Sequence, residues 1–179
     1  DVIMVVKRVN ERVLRTLRDL FERNPRLSSY LLSLNDVETL PRANLLQFTY
    51  AKPLYGEISA AKPTREEVRQ YISHSRRDWL DTLRHNLLFP HPLERKARLA
   101  YYMLKNVYIY LSYLAYCQSS RLPKTRKQTI AHFQRRKQFP NGVKLLQILD
   151  NWDSHKPKVD KNPDRYLFML EKFLRNAYP

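Results

Sequence analysis

The feature that most constrains this chain is a stretch without a single carboxylate. Between Glu94 and Asp150 there is no Asp or Glu, yet there are twelve Lys or Arg. Overlapping its start, Leu93 to Cys117 is the longest apolar segment of the protein. Ala97, Ala100, Leu104, Val107, Leu111 and Leu114 recur at alternating spacings of three and four, which makes one helical seam. Tyr101, Tyr108, Ile109 and Ala115 widen that seam almost all the way round. A helix apolar on nearly every side must be surrounded, so this segment is expected to be the central helix of a bundle. Arg98, Lys105 and Ser112 form a narrow polar stripe, and because buried cations are costly unless paired or wet, the stripe is expected to face a groove. Length alone would permit a membrane span. Lys105, Asn106 and six tyrosines within the segment oppose one, so no membrane association is expected.

The rest of the composition narrows the classes. A chain of 179 residues holds one large or two small domains, and a hydrophobic content of 43% is enough for a true core. Two glycines, Gly56 and Gly142, exclude a complete glycine-rich phosphate loop within the chain and disfavour a sheet-rich fold. The single cysteine, Cys117, excludes an internal disulfide framework and a cysteine-cluster zinc site; it reads as a buried apolar residue. No signal-peptide pattern is visible, so a cytoplasmic protein is expected. A net charge of +16 implies an anionic partner, either nucleic acid or a phosphate-bearing ligand such as a nucleotide.

In order, Val2 to Val6 reads as a strand and Val9 to Phe21 as an amphipathic helix ending at Asn24 and Pro25. Leu27 to Leu34 reads as a second strand, Asn35 and Asp36 as a turn, Pro41 to Thr49 as a short helix, and Lys52 to Glu57 as an extended segment. Thr64 and Glu67 form a capping box for a helix whose buried face runs from Val68 to Leu87. Pro90 and Pro92 separate it from the central helix. Arg126 to Arg136 is a basic helix, Pro140 to Gly142 a turn, Val143 to Trp152 a further helix, and Asp153 to Lys161 a charged linker. Asn162, Pro163 and Asp164 are a helix start, with Asn as cap and Pro in the first turn. The expected fold is therefore mostly α. A small α/β segment, residues 1–60, packs on a bundle of about five helices, residues 61–179.

Two patches resemble the nucleotidyltransferase superfamily, which includes the aminoglycoside nucleotidyltransferases. One is the strand from Asp1 to Val6 followed by a helix, a second strand, Leu45-Leu46-Gln47 and Leu54-Tyr55-Gly56. The other is the long helix carrying Arg98 and Lys105, followed by Leu122-Pro123-Lys124-Thr125-Arg126 and a basic helix. The resemblance implies the C-terminal part of a catalytic domain joined to a helical substrate-binding domain. It implies Asp1 as the second acid of a catalytic, metal-binding pair, Mg2+ as cofactor, and Arg98, Lys105, Lys124 and Arg126 as phosphate or substrate contacts. The chain departs from the pattern in two ways. The Gly-Ser loop and first acid are not within it, and the second strand has no carboxylate, with only Glu38 following. One carboxylate does not hold magnesium against a triphosphate, so this chain by itself is expected not to transfer nucleotides.

The competing reading is a non-enzymatic basic module in which Lys127, Arg135, Arg136 and Lys137 track a nucleic-acid backbone. Arg126 and His132 also fit loosely the spacing of helical-bundle ribonucleases of the HEPN type. Lys127 replaces the usual polar residue there, so the pair reads as a basic helix with a surface histidine. His74, His85, His91 and His155 suggest no metal site.

Overall fold

The computed structural model describes residues 2–24, 29–46, 54 and 61–177. The chain divides into two compact units, Asp1–Pro63 and Thr64–Pro179, and is mostly helical with a small α/β segment at its start.

In the first unit, strands β1 (Val2–Val6) and β2 (Ser29–Ser33) pair in parallel, from Val2 opposite Ser29 to Val6 opposite Ser33. Helix α1 (Glu11–Arg23) makes the crossover that a parallel pair requires. The Asn10 side chain caps it by accepting from Val13 N at 3.0 Å. The apolar stripe of α1 is present, but none of its residues is buried: Val13, Leu17 and Phe21 are half-buried, Leu14 and Leu20 exposed.

The turn expected at Asn35 and Asp36 is instead the start of α2 (Leu34–Thr39). Ser33 and Asp36 make a reciprocal capping box, with Asp36 N on Ser33 Oγ and Ser33 N on Asp36 Oδ2 at 2.7 Å. The short helix expected over Pro41 to Thr49 is a single 3-10 turn, Arg42–Leu45, and Gln47 to Thr49 lie outside the described residues. So do Asp1 and, apart from Leu54, the segment from Lys52 to Glu57.

Among the described residues the second unit has six helices rather than five: α3 (Arg65–Leu88), α4 (Leu93–Ser119), α5 (Arg126–Arg135), α6 (Pro140–Asp150), α7 (Trp152–Lys161) and α8 (Pro163–Asn176). Helix α4 is in contact with all five others. Every residue of its predicted seam is buried, and Leu104, Val107 and Leu111 are fully so. The Thr64–Glu67 capping box starts α3 as expected. On α8 the predicted face of Tyr166, Leu167, Leu170, Phe173 and Leu174 is buried, behind the Asn162 cap and Pro163.

Two expectations in this unit are overturned. Pro140 to Gly142 is not a turn but the first turn of α6, with Pro140 at the position where a missing N–H costs least. Gly142 is needed for closeness rather than flexibility. A Cβ there would lie 2.7 Å from the Phe173 ring and 3.0 Å from Leu111. Asp153 to Lys161 is not a linker but α7, despite Pro157 inside it. Packing overrides the proline: Val159 is fully buried, Trp152 stacks on Tyr101 with ring centroids 4.6 Å apart, and Lys156 pairs with Asp160 one turn on.

Candidate phosphate-binding surface

Cations in a strongly basic protein either hold the fold together or remain free to meet a ligand, and packing decides which. Among the described residues Lys96 is the cation most completely removed from water. It lies in the first turn of α4 and donates to Asp164 Oδ1 at 2.9 Å, tying the start of α4 to the start of α8. Nothing in the periodicity of α4 singled it out, because Asp164 is distant in sequence. Arg76 donates to the carbonyl of Leu174 at 2.9 Å and so satisfies the C-terminal end of α8.

The three residues of the stripe on α4 differ in burial and in partners. Arg98 is exposed and pairs with Glu94 one turn earlier. Lys105 is half-buried, with Nζ 5.2 Å from the centre of the Tyr101 ring, a cation–π contact. Ser112 is buried and returns its hydroxyl to the carbonyl of Ile109 at 2.9 Å.

Helix α5 carries the predicted basic face. Thr125 caps it by accepting from Gln128 N, and Lys124, just before, is exposed. Arg126 is not free. Its Nη1 donates to the carbonyl of Leu149 at 2.8 Å and its Nε lies 3.5 Å from Asp150, so it clamps the start of α5 to the end of α6. Lys127, Arg135, Arg136 and Lys137 are exposed. Three of these gather at the C-terminal end of α5, where the helix dipole favours positive charge. The chain then runs through two left-handed residues, Lys137 (φ 53°) and Phe139 (φ 49°). Phe139 is held there by edge contacts with Phe133 and Phe173.

His132 sits within this face. Its Nε2 is 2.9 Å from Gln118 Oε1 and its Nδ1 is 3.3 Å from the Arg136 guanidinium. An Nε2–H tautomer satisfies both contacts, donating to Gln118 and accepting from Arg136. Burial, then the charges of Arg136 and Arg135, hold its pKa below the usual imidazole value. Arg126 and His132 make no contact with each other; each is bound to other partners.

Among the described residues no cluster of three His, Cys, Asp or Glu side chains could hold a metal ion. Strand β2 carries no carboxylate, and Asp36 is committed to Ser33, whose backbone and hydroxyl donors hold its pKa down. Asp1 lies outside the described residues. Cys117 is buried and donates weakly to the carbonyl of Arg65, and burial pushes its thiol pKa up. No described helix is long and apolar enough to cross a membrane. Comparison with protein-family models, curated proteins and solved structures found no match to this chain.

Proposed function

We propose that this chain is a nucleotidyltransferase-like protein whose helical unit holds a phosphate-bearing ligand, either the nucleotide or the acceptor, and whose catalytic carboxylate set is incomplete within these 179 residues. The observation that carries this reading is the parallel β1–α1–β2 unit, whose first strand follows directly on Asp1, joined in sequence to a separate basic bundle. That order of elements is what the resemblance implies. The bundle contributes 23 basic residues against ten acidic ones. Among the described residues Lys105 and Lys124 are the predicted contacts without a carboxylate partner, Arg98 must exchange Glu94 for a ligand, and Arg126 is left out because its guanidinium is committed.

Calorimetric titration of the chain with ATP and with pyrophosphate at low salt tests the reading. Binding is expected, weakened by Lys105→Ala and Lys124→Ala, with no pyrophosphate released from ATP in the presence of magnesium. Absence of binding would remove the ligand reading, and turnover would remove the claim that the carboxylate set is incomplete.

The exposed run of Lys127, Arg135, Arg136 and Lys137 favours a second reading, a surface that binds a nucleic-acid backbone. In that case Arg135→Glu with Arg136→Glu weakens single-stranded RNA binding and flattens its salt dependence by about two phosphate contacts, each worth a log–log slope of ~0.7. An unchanged slope would remove it.

A further inference from the structure

Away from all of these residues, helices α6, α7 and α8 enclose a cleft of about 380 Å³, within the range of small-ligand sites. Helical spacing builds its walls. Lys144, Ile148 and Asn151 follow one face of α6, and His155 and Lys158 continue it along α7. Helix α8 adds Arg165, Tyr166 and Met169. Ile148 and Tyr166 are buried, which gives the cleft an apolar floor beneath exposed Lys144, Lys158 and Arg165.

We propose that this cleft binds a phosphomonoester group. The argument begins with which acids are already taken. Asp150 is held by Arg126, Asp160 by Lys156, Asp164 by Lys96, and Glu171 by Arg84 and Arg175. No carboxylate lines the cleft, and the side chains of Lys144, Lys158 and Arg165 have no ion-pair or hydrogen-bond partner among the described residues. Three cations that share one cleft repel one another unless an anion joins them. The second observation is independent of charge. His155 lines the same cleft, and its ring Nδ1 has no hydrogen-bond partner among the described residues, so the imidazole is not fixed by a competing contact.

A phosphomonoester supplies the negative charge that the three cations lack. It carries between one and two negative charges near neutral pH and three acceptor oxygens, more than a carboxylate or a phosphodiester offers. The apolar floor suits the organic part of such a ligand. This site is independent of the nucleotidyltransferase reading, and variants of Lys105 and Lys124 leave it intact.

The full chain is titrated with AMP, adenosine and inorganic phosphate, and with a tetranucleotide carrying either a 5′-phosphate or a 5′-hydroxyl. AMP and phosphate are expected to bind and adenosine not to. Lys158→Ala and Arg165→Ala are each expected to weaken AMP by about tenfold, as loss of a charge-assisted contact does, with the helical circular dichroism unchanged. The His155 imidazole nitrogen resonances are expected to move with AMP but not with adenosine. Preference for the 5′-phosphorylated oligonucleotide over its 5′-hydroxyl twin would extend the source to nucleic-acid ends; binding of AMP alone would limit it to small phosphates. Equal binding of AMP and adenosine, AMP binding unaffected in the Lys158→Ala, Arg165→Ala double variant, or an unmoved His155 would each overturn the proposal.

Discussion

At the scale of single residues, the basic character of this protein separates into cations that clamp and cations that wait. Lys96, Arg76 and Arg126 each satisfy a carboxylate or the carbonyls at a helix end. Lys127, Arg135 and Lys137 remain in water, with no carboxylate partner among the described residues. His132 lies between the two groups, its charged form disfavoured by burial first and then by Arg136 and Arg135. Its folded-state pKa is below the ordinary imidazole value of 6.5, so the unfolded chain takes up the proton first as pH falls. The stability this histidine contributes is complete above that value and is lost as pH drops from there toward the folded one. Urea-unfolding midpoints measured from pH 7.5 down to about 5.5 are expected to fall in the wild type and to fall less in His132→Gln. Some slope will remain, because burial and then Arg95, His85 and Lys96 shift His91 in the same direction. Identical pH profiles for the two proteins would show that the folded state does not disfavour the charged form of His132.

At the scale of elements, α6 and α7 form where local signals argue against a helix. Gly142 lets α6 come within van der Waals reach of α4 and α8, and Pro157 is tolerated in α7 because Val159 and Trp152 anchor that helix. Gly142→Ala separates propensity from packing. In an open helix the change would stabilise by about 1 kcal/mol. Here the new methyl meets the edge of the Phe173 ring, itself packed against Tyr110 and Phe139, so the ring has little room to yield. The variant is expected to lose about 1–3 kcal/mol by overpacking, read as a lower midpoint in thermal or urea unfolding. A gain in stability would mean that α6 does not approach Phe173 this closely.

At the scale of the whole molecule, the bundle is organised around α4, which reaches every other helix of its unit. Residues Thr64–Pro179 form a compact unit with their own core, including fully buried Leu83, Leu104, Leu111, Leu146 and Leu170. Such a core implies independent folding. Residues 64–179 expressed alone are expected to be helical and to melt cooperatively within a few degrees of the main transition of the full chain. A fragment without a cooperative transition would show that the first unit is needed to complete the core.

The sequence by itself determined whatever depends on neighbours a few residues away. The seam of α4 at spacings of three and four, the buried face of α8, the Thr64–Glu67 box and the Asn162 cap could all be read directly, because helical periodicity and capping are local. So could part of the candidate site: Lys127, Arg135, Arg136 and Lys137 are exposed where a basic helix was expected. The tertiary structure decided what depends on distant partners. It made Gly142 a packing residue rather than a turn, carried α7 through Pro157, and committed Arg126 to the end of α6. Arg98 with Glu94, by contrast, is a local pair that helical spacing alone brings together. The cleft that joins Lys144, Lys158 and Arg165 had no sequence signature, because it exists only once three helices converge and the nearby acids Asp150, Asp160 and Asp164 have been claimed by other cations.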